Sequence, residues 1–72
     1  MPSLISWNDR SYYSIAHDGH VARVSGYDEH HREFWLEIPK GKGYGDRRRA
    51  AVEKIMEHIE AGDPPGEVKE KA

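Results

Sequence analysis

Around Pro39 the hydrophobic period of this chain changes from two to 3.6, which limits it to strands followed by a helix. In Glu33-Phe34-Trp35-Leu36-Glu37-Ile38, Phe34, Leu36 and Ile38 face one way and Glu33, Trp35 and Glu37 the other. That alternation is a half-buried strand, and Pro39 ends it. Downstream, Ala51, Val52, Ile55, Met56 and Ile59 recur at i, i+3/i+4 spacing and form one apolar stripe. Glu53, Lys54, Glu57 and Glu60 take the other side. The spacing predicts a helix over 47–61, with Asp46 as its N-cap. Gly62 sits at the C′ position, and Pro64-Pro65 stop the helix beyond it.

Two further segments are β-prone. Val21-Ala22-Arg23-Val24-Ser25-Gly26-Tyr27 reads as one strand and Tyr12-Tyr13-Ser14-Ile15-Ala16 as another. Asp18-Gly19 between them is a tight-hairpin signal, and Asp28-Glu29-His30-His31 makes the next turn. Short turns join antiparallel neighbours. The predicted fold is α+β: a three-stranded antiparallel meander with a C-terminal helix packed on one face, β-β-β-α. Leu4, Ile5 and Trp7 form a short extra N-terminal edge strand or a packed arm. Residues 1–62 make one domain, and 63–72 read as a polar tail containing Pro and Gly, frayed at its end.

At 72 residues the chain has room for one small core and none for a deep internal cavity, and homodimerisation is an ordinary way to bury more surface. It has no cysteine, so no disulfide or thiolate zinc site staples it. No apolar run approaches the roughly 18 residues of a membrane span. The first residues lack the basic and apolar regions of a signal peptide, so we expect a cytoplasmic protein without membrane contact.

The net charge is −2, but it is unevenly spread: −3 over 1–39, +4 over 40–49 and −3 over 50–72. The basic part, Lys40-Gly41-Lys42-Gly43-Tyr44-Gly45-Asp46-Arg47-Arg48-Arg49, joins a strand to a helix N-terminus. Glycines let backbone approach a ligand, and helix N-termini favour anions. Arginines in a first helical turn oppose the macrodipole, at about 0.3–1 kcal/mol each. Lys40, Lys42, Arg47, Arg48 and Arg49 are therefore candidates for binding phosphate, most plausibly of nucleic acid. The structural alternative pairs these arginines with Glu33, Glu37 or Glu53. The segment lacks the Gly-Lys-Ser/Thr of a phosphate loop and the spacing of a dinucleotide fingerprint, and the net negative charge counts against non-specific nucleic-acid binding.

Trp35 points away from the helix by alternation. Either the Leu4/Ile5/Trp7 arm covers it, or a partner does, or it is exposed. Trp35, Trp7 and Tyr12 are the candidate interaction surface, since a contiguous exposed aromatic patch marks a binding site. Tyr12, Tyr27, Trp35 and Tyr44 are alternatively core residues or a base-stacking platform. His17 and His20 lie at one turn and His30 and His31 at the other, at opposite ends of a meander, so no metal site is expected. His58 reads as a helix boundary residue. The serines have no recognisable base or elbow, and Glu33 and Glu37 have no cleft.

The β-β-β-α order resembles the small DNA-binding modules of phage-type integrases in architecture alone, and fold does not give function. The functional expectation is a small non-enzymatic bacterial or phage-type accessory protein without a cofactor, acting by protein–protein contact or homodimerisation. The alternative is a nucleic-acid-binding module built on 40–49.

Overall fold

The computed structural model describes residues 6–69. Strands β1 (Ser6–Ser14), β2 (Gly19–Tyr27) and β3 (Glu33–Pro39) form an antiparallel meander, helix α1 (Tyr44–Ala61) follows, and a short β4 (Gly66–Glu67) closes the sheet in the order β1-β2-β3-β4. Among the described residues, no helix is long and apolar enough to cross a membrane.

The α+β class and the meander followed by a helix agree with the sequence reading, but the strand count does not. β4 comes from the segment expected as tail and pairs parallel with β3, Phe34 opposite Gly66 and Trp35 opposite Glu67. A parallel neighbour needs a crossover connection, and α1 supplies it. Val68 then enters the core at 2% exposure, and its N–H donates to the Trp35 carbonyl at 2.7 Å. The rest of the tail, 70–72, lies outside the described residues.

At the other end β1 is longer than expected. Trp7 belongs to it rather than to a separate strand, while Leu4 and Ile5 lie outside the described residues. The β1–β2 connection is not a two-residue Asp18-Gly19 turn. Residues 15–18 make it, the Asp18 N–H donates to the Ile15 carbonyl, and Asp18 takes the left-handed conformation at φ 49°. Gly19 is the first residue of β2, paired with Ser14.

The helix also differs at its start. It begins at Tyr44, three residues early, and its cap is Gly43 at φ 82° rather than Asp46. Asp46 lies inside the first turn, where a carboxylate favours the macrodipole. The arginines are moved past that turn, where the dipole penalty has largely decayed. The C-terminus matches the reading: Gly62 at φ 77° donates to the Ile59 carbonyl and Asp63 to that of His58, a Schellman cap.

The apolar stripe is narrower than its sequence spacing implied. Ala51, Ile55 and Ile59 are buried and Val52 partly so, but Met56 is exposed. Met56 lies about 100° round the helix from Ile55, on a side that the contacts with β2 and β3 do not cover. The core joins those residues to Ala22, Val24, Phe34, Leu36, Ile38 and Val68, with Trp7 and Tyr44 packed against its edge. Burying a side chain such as Ile55 completely contributes about 1.5–3 kcal/mol. Gly26 makes the contact close: a Cβ there would lie 3.0 Å from both Ile55 Cγ2 and Trp7 Cζ3.

Candidate functional site

The basic segment spends most of its charge inside the chain. Arg47 donates to the carbonyls of Lys42 at 2.7 Å and Pro39 at 2.9 Å, tying the 40–43 loop to the helix. Arg48 makes a two-pronged bond to Asp9, Nε to Oδ2 at 2.7 Å and Nη2 to Oδ1 at 3.1 Å. That bond, more than the smaller opposing effect of burial, holds the Asp9 carboxyl below its usual range. Arg49 pairs with Asp46 at 3.6 Å on an open surface, an arrangement worth little. Lys40 donates to Ser11 Oγ at 2.9 Å and lies over the Tyr44 ring. Among the described residues, Lys42 is the member of the set with no side-chain partner. The arginines' partners are aspartates and carbonyls, not the expected Glu33, Glu37 or Glu53, because their side chains reach Asp9 on β1, Asp46 on their own helix and the carbonyls of Pro39 and Lys42.

The aromatic candidates are divided between the two faces of the sheet. Trp7 shares the helix side with Asp9, Ser11 and Tyr13 and packs on the core. Tyr12 and Trp35 lie on the opposite, helix-free face. There the chain covers itself, and Trp7, the described residue of the expected arm, lies on the other face. The Arg23 guanidinium lies 3.8 Å above the Trp35 ring centroid, an attraction of about 0.5–2 kcal/mol. Arg23 reaches Glu33 at 3.1 Å, and Ser25 Oγ donates to the same carboxylate at 2.7 Å. The Tyr12 hydroxyl donates to Glu37, which His17 approaches at 3.7 Å. Burial and then that carboxylate push the Tyr12 phenol up. Arg23 Nε is buried without a hydrogen-bond partner.

Sequence reasoning missed the feature that stands most open, the outer edge of β1. The phase of the ladders locates it. The Lys40 N–H donates to the His20 carbonyl, so even-numbered residues of β2 point their backbone groups at β3 and odd-numbered ones at β1. The register then makes Ser6, Asn8, Arg10, Tyr12 and Ser14 the β1 residues that bond to β2. Trp7, Asp9, Ser11 and Tyr13 turn their N–H and C=O groups outward, and no described residue takes them up. The Val68 N–H to Trp35 carbonyl bond checks the phase on β3, whose odd-numbered residues face away from β2. At the β1 tip, Tyr13 is 56% and Ile15 90% exposed.

The remaining features are local. His17 and His20 sit at one end of β2, and His30 and His31 at the other. Among the described residues, no three His, Cys, Asp or Glu side chains cluster as metal ligands. A shallow hollow of about 340 Å³ lies between the C-terminal half of α1 and the returning chain, lined by Lys54, Glu57, His58, Ala61, Asp63 and Lys69. The β2–β3 loop is ordered by Asp28, which accepts from the N–H groups of His30 and Arg32, both at 2.9 Å, and from the Arg32 guanidinium at 2.8 Å. No protein-family model, curated protein or solved structure matches this chain.

Proposed function

We propose that this chain is a small, non-enzymatic cytoplasmic accessory protein that works by protein–protein contact, and that the contact is strand addition at the β1 edge. The observation that carries this reading is the row of outward backbone groups at Trp7, Asp9, Ser11 and Tyr13, on a nine-residue strand that α1 does not cover. A long open edge is a template for another strand, and proteins that do not use one usually blunt it. Here the blunting is partial. Asp9 is charged but neutralised by Arg48 on the helix side, and β1 contains no proline. Trp35 is a weaker contact candidate, because Arg23 already covers that ring.

Phosphate binding by 40–49 is the second reading. It keeps Lys42 and the solvent-facing Arg49, while Lys40, Arg47 and Arg48 are engaged within the chain. A probe of it is Lys42→Ala/Arg49→Ala, since Arg47 and Arg48 also hold the fold.

Backbone hydrogen exchange tests the edge. In dilute solution the amides of Asn8, Arg10 and Tyr12 are expected to exchange slowly and those of Trp7, Asp9, Ser11 and Tyr13 fast. On saturation with a binding partner, or at high concentration of the chain itself, the second set becomes protected. Equal protection of both sets in the dilute protein would mean that the edge is already covered, and the reading would fail.

A further inference from the structure

Resting on that reading, we infer that the occupant of the β1 edge is a second copy of the same strand, paired antiparallel about a twofold axis at Ser11. The strand's own charges disfavour the two registers centred on Asp9 and on Arg10 and are compatible with this one. An isologous antiparallel pair places one residue opposite itself, and the choice of that residue determines every other contact. With Asp9 at the axis, two carboxylates meet. With Arg10 at the axis the clash is worse, because Arg10 already stands directly opposite Arg23 within the chain. The dimer would then align Arg23, Arg10 and their two symmetry mates in one row, and like charges directly opposite destabilise a sheet.

With Ser11 at the axis these conflicts vanish. The neutral, small Ser11 meets itself. Arg10 lies opposite Tyr12 of the second copy, a ring whose hydroxyl donates to a carboxylate and which suits a cation. Asp9 lies opposite Tyr13, and Asn8 opposite Ser14. The pairing runs over residues 8–14, most of β1. Lys40, which reaches Ser11 Oγ from the helix side, is exposed and can swing off the axis. The exposed Ile15 at each hairpin tip is brought toward Trp7 of the other copy. The two four-stranded sheets become one, with both helices on the same side and the helix-side residues of the two β1 strands between them. The register thus accounts for two oddities of the single chain: an open edge and an almost fully exposed isoleucine.

Because the chain has no cysteine, single-cysteine variants map the pairing cleanly. Under mild oxidation, Ser11→Cys is expected to form a disulfide dimer at least about tenfold faster than Asn8→Cys, since pairing holds the first two thiols together and leaves the second two to chance collision. Sedimentation of the unmodified chain is expected to show a concentration-dependent dimer. If Asn8→Cys links as fast as Ser11→Cys, or if Ser11→Cys gives no dimer, the Ser11-centred pairing is wrong. A monomeric chain whose outward β1 amides still exchange freely overturns self-pairing alone, whereas outward amides protected in the dilute monomer overturn the open edge as well.

Discussion

A Phe34→Ala chain is expected to be largely unfolded at room temperature. Phe34 is among the largest fully buried side chains, and it sits on the strand that touches every other part of the core. Its neighbours across both ladders are glycines, Gly26 on β2 and Gly66 on β4. Neither neighbour therefore has a side chain that can relax into the gap left by the lost ring. Truncating a buried Phe costs about 3–5 kcal/mol. A domain this small, without disulfide or metal, holds roughly that much in total. The check is a thermal melt followed by circular dichroism. A cooperative melt within a few degrees of the parent would mean that the core is not centred on Phe34.

Val68→Asp is the second severe substitution, and it tests whether the chain beyond Pro64-Pro65 belongs to the fold. Val68 is buried against the same cluster as Phe34, and its N–H holds the outer edge of β3. A carboxyl there must stay charged in an apolar site, take up a proton at a cost, or pull the segment away. The expected loss is about 3 kcal/mol or more. The neighbouring Glu67→Ala, on an exposed side chain, is expected to change stability by no more than about 0.5 kcal/mol. Denaturant midpoints of the pair decide the matter. If Val68→Asp is as mild as Glu67→Ala, the segment is a tail after all. Releasing it would also leave β3 with a free edge of its own, so Val68→Asp is expected to aggregate more readily than other variants of equal stability.

What could be read from the residues divides along physical lines. The helix and β3 were legible because each repeats its pattern often enough to set a period: Ala51, Ile55 and Ile59 in one case, and Phe34, Leu36 and Ile38 in the other. The C-terminal cap was legible because Gly62 followed by two prolines has few other uses. The helix start was not, since Gly43 caps through its backbone conformation alone. β4 is two residues long, and Val68, the core residue just beyond it, has no partner in sequence to reveal a period. β1 was half legible. Asn8-Asp9 resembles a turn, and only pairing with β2 makes it strand. The basic segment stood out in sequence, yet its meaning depended on distances across the fold: Asp9, thirty-nine residues from Arg48, is its partner. The outer edge of β1 is a property of the backbone ladder and has no signature in side-chain type.

The most direct test of strand addition at β1 is Ser11→Pro. The Ser11 N–H points away from β2, so proline removes a donor that the single chain does not use, and edge strands tolerate proline in that orientation. The expected result is a folded protein, with helix content and melting temperature close to the parent's, that sediments as a monomer at concentrations where the parent dimerises. A folded Ser11→Pro chain that associates as strongly as the parent would contradict a contact made through the β1 edge.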